Sequence, residues 1–320
     1  MLFNTKQSTR IASKIYLLAI LVLILNVGCI NTGQKKESEN RVVEAKKSTF
    51  APPAIPIHID GRQAQLTYLL EHFWDEYNFA DTLLLADNQT TGKAFAIYAE
   101  LLPMSDVTTI ERSIKTLLNN SFKVDSVAFA HFATLFEDYF HNANSPYMNE
   151  EIYIPVLRYI VENDSIEPIN KLRSQMQLEM ALKNRVGELS LDFEYMLKDG
   201  RNEKMHNIIA PYTILFFNNP DCHDCARVKE YFTSSELLNT LYHDGELKIL
   251  SIYPDSTIEL WKKEEYPAIM INGFDKSQKI TNERLYDLKA IPTLYLLDKD
   301  KKVILKDVPI EMIENYLQFQ

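Results

Sequence analysis

The sequence predicts two domains, an all-α N-terminal domain followed by an α/β domain with a mixed central sheet. Three observations lead there. Apolar residues recur at helical spacing from about 60 to 185, and no glycine interrupts them between Gly92 and Gly187. After Arg185 the pattern changes to short alternating or unbroken apolar runs such as YTILFF and TLYLL. Those runs alternate with helical stretches and end in an antiparallel pair and a closing helix, the order of an α/β sheet.

Before these domains, Lys6, Arg10 and Lys14 precede IYLLAILVLIL, Ile15–Leu25. Eleven apolar residues are too few for a membrane-spanning helix, which needs about 20, but suit the apolar core of a signal peptide. NVGC follows directly and resembles a bacterial lipobox, with Gly28 before Cys29. Asn26 stands where that motif usually has Leu, which leaves ordinary cleavage or an uncleaved anchor as alternatives. The expectation is a signal segment over 1–29 with Cys29 lipidated, and a mature chain held on the outer side of a bacterial membrane, facing the periplasm. Residues 30–55, polar and ending in Pro-rich sequence, read as a flexible leash spanning roughly 25–30 Å.

The helical domain is expected over 56–185. Asp60 is the predicted first N-cap, with Gln63 three residues on and Leu66, Leu69, Leu70, Phe73 and Tyr77 on one face. The pattern repeats in Ile110, Ile114, Leu117 and Leu118, in Phe129, Phe132, Phe136 and Phe140, and in Ile169, Leu172, Met176 and Met180. Pro155 should start or kink a helix. The aromatic stripes, Trp74 and Trp261 read as core.

The second domain is expected over 186–320. LSLDFEYMLKDGR suggests a hairpin, YTILFFNN a buried strand, and CARVKEYFTSSELLNTLY helical sequence. LKILSIYPD, PAIMING and the two halves of TLYLLDKDKKVILKD read as strands. STIELWKKEE, TNERLYDLKA and PIEMIENYLQF read as helices. Residues 299–302, KDKK, read as a solvated hairpin tip.

Two of the three cysteines lie in NPDCHDCARV, residues 219–228. Such a pair suits a redox couple, half a metal site, a haem anchor or a structural staple. In its setting the stretch resembles the thioredoxin superfamily: CxxC follows the first core strand and opens a helix, and AIPT, residues 290–293, precedes the next long strand. GELSLDF…KDG ahead of YTILFF is similar to the opening hairpin of the extracytoplasmic TlpA/ResA-type thiol–disulfide oxidoreductases. SPYMNEEIYIPVL resembles a domain of unknown function that precedes thioredoxin-like modules in bacterial lipoproteins. The resemblance implies a thioredoxin fold over 186–320 and a cis Pro292 facing the CxxC, shaping a groove and keeping other ligands from the thiolate.

The chemistry of the pair points the same way. At a helix N-terminus, unpaired N–H groups and the helix dipole favour a thiolate at the first position. Cys222 is therefore the expected nucleophile and Cys225 the resolving thiol, more buried. His223, when protonated, favours the thiolate, while Asp221 and Asp224 oppose it. Two departures from the thioredoxin pattern stand out. Asp221 replaces the usual Trp, and Phe216 stands where a buried acid is usual, six residues before Cys222. Glu230, Asp255 and Glu265 remain as acids for Cys225 by elimination only, and each reads more simply as a solvated surface acid.

Competing readings are weaker. A c-type haem needs His where Ala226 stands. Zinc needs a second ligand pair, and His206 and His243 lack the spacing. A structural disulfide over so short a loop would stabilise little. Peroxide reduction needs Pro and Thr or Ser where Leu215 and Asn219 stand. A net charge of −10 speaks against nucleic acid.

The expected function is a membrane-tethered thiol–disulfide oxidoreductase without a dissociable cofactor or metal. Its partners would be protein disulfides or thiols and an upstream redox partner, with the membrane reached through the lipid anchor. The alternative is a lipoprotein whose helical domain binds a partner or glycan, the second fold serving as scaffold.

Overall fold

The structure is a computed structural model and describes residues 50–320. The basic start of the chain, its apolar segment, Cys29 and most of the 30–55 leash lie outside the described residues. Among the described residues no helix is long and apolar enough to cross a membrane.

Helices make up the first part: α1 Arg62–His72, α2 Thr82–Ala86, α3 Lys93–Leu101, α4 Val107–Val124, α5 Ser126–Phe140, α6 Glu150–Glu162 and α7 Pro168–Ala181. Asp125 ends α4 and begins α5. It stands clear of both helices in extended backbone, and its carboxylate accepts the Ala128 N–H at 2.7 Å. Phe73, Trp74, Tyr77 and Phe79 gather with Phe95, Tyr98, Phe132 and Phe136 into one aromatic core. Trp74 meets Phe132 edge-on with ring centres 5.1 Å apart. Pro155 lies inside α6.

Two expectations fail here. Asp60 does not cap α1; the position before Arg62 is Gly61, at φ +89°, with no side-chain cap, and Gln65 Nε2 instead donates to the Ile59 carbonyl. The Ile169, Leu172, Met176 and Met180 stripe is not core. Ile169 is 72 % exposed, whereas Ser174 and Ala181 are buried. α7 packs through these small side chains, seven residues apart, and through Leu178, while Ile169, Leu172 and Met176 turn outward.

The second part is a seven-stranded sheet in the order β2-β1-β5-β4-β3-β6-β7. Its strands are β1 Glu194–Met196, β2 Asn202–Lys204, β3 Tyr212–Phe217, β4 Leu247–Tyr253, β5 Met270–Phe274, β6 Thr293–Leu297 and β7 Val303–Lys306. β3, β4 and β5 are parallel, and β6 runs antiparallel to β3. Both faces are covered, which explains the unbroken apolar strands. Ile214 and Phe216 point into one core layer, Leu215 and Phe217 into the other. The helices are α8 His223–Ser234, α9 Glu236–His243, α10 Ile258–Lys263, α11 Lys279–Asn282 and α12 Ile310–Gln318.

The helical stretch CARVKEYFTSSELLNTLY divides into two helices, because Ser235 takes an extended conformation and its hydroxyl caps α9 at Leu238 N. Two further readings need correction. TNERLYDLKA keeps one helical turn at most; Arg284 turns to φ +49°, and the carbonyls that a helix would use are bonded elsewhere. The KDKK turn is not wholly solvated. Lys301 is buried and its Nζ donates to Thr213 Oγ1 at 3.0 Å, and burial pulls its pKa below the usual lysine value.

Candidate active site

β3 ends at Phe217, and the following four residues deliver Cys222 to the start of α8. Asn218, fully buried, organises that stretch. Its amide donates to Ser251 Oγ at 2.7 Å, and its carbonyl oxygen accepts the Tyr266 hydroxyl at 3.0 Å. Asn219 then turns the chain, accepting the Asp221 N–H on its side chain and the Cys222 N–H on its backbone.

Cys222 is the N-cap of α8, and its sulfur accepts the Cys225 N–H at 3.1 Å. The two cysteines form a disulfide with Cα atoms 5.2 Å apart. Cys225 is fully buried beside Phe216, Val228 and Phe232, while Cys222 is partly exposed. An open N–H of the helix N-terminus therefore points at the outer sulfur, which after reduction favours its thiolate.

The Ile291–Pro292 peptide is cis, and the Ile291 carbonyl oxygen lies 3.6 Å from Cys222 Sγ. The structure thus brings Cys222, Cys225 and the Ile291–Pro292 segment together. His223 and Asp224 face solvent, with side chains 96 % and 58 % exposed, and Asp221 is exposed as well. Asp224 also lies 3.4 Å from the Arg227 guanidinium. Each of these three side chains acts on the sulfur through water-screened space.

Glu230, Asp255 and Glu265 are all exposed. The acid drawn inward is Glu264, which pairs with Lys229. Lys229 is buried one turn after Cys225 on the same side of α8, and its Nζ lies 5.0 Å from the centre of the Tyr266 ring. Burial, reinforced by Glu264, pushes the Tyr266 hydroxyl well above its usual pKa. Sequence reasoning missed this group. The available signal was a lysine on a helix face shared with Cys225, Val228 and Phe232. Among the described residues, no three His, Cys, Asp or Glu side chains are placed to hold a metal ion.

A family described as a domain of unknown function, DUF5106, matches residues 28–184. Comparison with the curated proteins gives no match. Among solved structures, a thioredoxin-like protein from Bacteroides caccae ATCC 43185 is 38% identical over 85% of this chain and 99% of that one, with a TM-score of 0.81. The C-terminal domain of an uncharacterized protein from Bacteroides fragilis NCTC 9343 is 45% identical, covering 42% of this chain and 98% of that one, at a TM-score of 0.42. The thioredoxin domain of a thiol-disulfide oxidoreductase from Bacteroides vulgatus is 15% identical over 42% of this chain and 96% of that one, at a TM-score of 0.35. A match over 85% of the chain takes in helices as well as sheet. With that likeness, the helical domain ahead of the sheet and the cysteine pair at the head of α8, the chain belongs to the thioredoxin superfamily.

Proposed function

We propose that the protein is a thiol–disulfide oxidoreductase acting on protein thiols and disulfides through Cys222 and Cys225. The observation that carries this reading is the asymmetry of the pair: an accessible Cys222 sulfur that accepts a helix N-terminal N–H, bonded to a fully buried Cys225. A structural staple has no use for that arrangement, because the loop it closes is too short to stabilise the fold appreciably.

Starting from the disulfide, a substrate thiolate attacks Cys222 Sγ. A substrate–Cys222 bond forms, the Cys222–Cys225 bond breaks, and Cys225 leaves as a thiolate that takes up a proton. The second substrate thiolate then attacks its own partner sulfur, forming the substrate disulfide and releasing Cys222. Two electrons pass from substrate to the pair, and the reverse sequence reduces a substrate disulfide. Either direction requires an upstream partner to reset the pair.

The site of action is on the outer side of a bacterial membrane, with the chain held through a lipid on Cys29 and the leash giving it reach. The short apolar segment before Gly28 and Cys29 supports this. Insulin reduction by the wild type and by Cys222→Ser tests the activity: loss of turnover in the variant is expected, and an inactive wild type overturns the reading. Mass spectrometry of the membrane fraction should find an acylated N-terminal Cys29. A soluble, unmodified chain would overturn the anchor.

A further inference from the structure

The segment from Glu283 to Pro292 joins α11 to β6 and carries the Ile291 carbonyl to the Cys222 sulfur. It is held from outside. Lys183 Nζ donates to the Arg284 carbonyl at 2.9 Å, and Asn184 Nδ2 to the Leu285 carbonyl at 2.8 Å. The Tyr286 hydroxyl donates to the Leu191 carbonyl at 2.6 Å, and Lys289 Nζ to Glu150 Oε1 at 2.9 Å. Glu150, Lys183 and Asn184 belong to the helical domain, in α6 and just after α7, while Leu191 opens the second domain.

Glu150 is the first residue of α6 and is buried. Its second oxygen lies 2.7 Å from Lys306 Nζ, and Lys306 also donates to the Ala181 and Lys183 carbonyls left open at the end of α7. One cluster therefore ties two helix ends, the end of β7 and the active-site segment. Burial alone would raise the Glu150 pKa, but the Lys306 and Lys289 charges hold it below the usual carboxylate value. A cleft of about 340 Å³ opens over the same joint between Met176 and Met180 on one side and Arg284 and Leu288 on the other. Away from the cleft Tyr286 is buried against Phe193, Phe217 and Tyr295, so the side-chain ties act beside packing in holding the segment.

We propose that the helical domain positions the active site: the Glu150–Lys289 pair sets where the Ile291 carbonyl stands against Cys222. This rests on the oxidoreductase reading above. Lys289 precedes Ile291 by two residues, at most about 7 Å of chain, so movement at its ammonium is felt at the carbonyl. In the reduced protein the Cys222 thiol donates to that oxygen, which favours the protonated form, while the Cys225 N–H favours the thiolate. The two contacts pull the acidity of Cys222 in opposite directions, beside the helix dipole and the water-screened Asp221, His223 and Asp224. Releasing the segment removes the opposing contact and lowers the Cys222 pKa, and it also blurs the groove that receives substrate.

The test uses the full chain with Glu150→Gln and Lys289→Met, and reads the pH profile of Cys222 alkylation by iodoacetamide after reduction. Each variant is expected to move the midpoint downward by a few tenths of a unit to about one unit, and to raise the KM for a disulfide substrate roughly 2–10-fold, the worth of one hydrogen bond. Lys289→Arg, which keeps the charge, should restore most of both. Should Glu150→Gln not fold, Lys183→Met removes the tie to Arg284, together with a surface pair to Glu179 within its own helix end, and should give a smaller shift of the same sign. Wild-type midpoints and KM values in the folded variants would overturn the proposal. Alkylation needs no turnover, so a chain inactive on insulin that still shows the shift would refute the activity and leave the positioning intact.

Discussion

Cys225 gives its backbone N–H to the sulfur of Cys222 over 3.1 Å, so the helix that hides one cysteine supplies the donor for the other. The two thiols are therefore unequal. Cys225→Ala should accumulate mixed disulfides with substrates, and Cys222→Ala should trap none. Non-reducing electrophoresis followed by mass spectrometry reads the difference, and equal trapping by both would reverse or abolish the assigned roles.

The Lys229–Glu264 pair ties α8, one turn beyond Cys225, to the chain leading into β5. Its side chains are only 11 % and 26 % exposed, so removing one leaves its partner short of both water and countercharge. Lys229→Met and Glu264→Gln should each cost about 1–3 kcal/mol by urea unfolding, less than a fully buried pair because Glu264 keeps some solvent. The double variant should lose clearly less than the sum. Additive losses would show that the two side chains do not act together.

Gly273 lies in β5 between β4 and β1 with no room for a side chain. A Cβ there would stand 2.6 Å from Ile252 Cδ1 and 2.8 Å from the Tyr195 ring. Gly273→Ala should destabilise by about 1–3 kcal/mol through overpacking. An unchanged unfolding midpoint would mean that Tyr195 moves aside at no cost.

Asp307 adds a third carboxylate, with Glu150 and Asp287, to a cluster that holds two lysines, Lys289 and Lys306. Burial first, with Glu150 and Asp287 against the relief from Lys289 and Lys306, raises its pKa from 3.8 to about 6. Between those two values the folded state holds a proton that the unfolded chain has lost, so stability falls as pH rises through the window. Asp307→Asn should therefore be more stable than wild type at pH 8, by something of the order of 2 kcal/mol, with little difference near pH 4. Asn also suits the φ of +50° at this position. Urea unfolding at both pH values checks it, and an equal effect at both would remove Asp307 as the source.

Local pattern was sufficient for much of the architecture. YTILFF and TLYLL had to be strands covered on both faces, because an unbroken apolar run with period-two packing has no other economical burial. The phenylalanines at 129, 132, 136 and 140 had to share one helix, because their spacing of three and four residues is a local property. The CxxC at a helix start was equally legible, including which cysteine is the buried one.

Tertiary structure decided what local pattern leaves open. α7 has an apolar stripe, yet small Ser174 and Ala181 face inward, since close approach to α6 was worth more than burying Ile169. TNERLYDLKA has helical periodicity, but Lys183, Asn184 and Glu150 claim its polar groups from more than a hundred residues away. Glu265 and Glu264 are neighbours of one chemistry. Only the position of Lys229 in space determines that Glu264 is the one drawn in. A sequence reports periodicity and caps, which are local, whereas the pairing of buried charges depends on which distant segments the fold sets side by side.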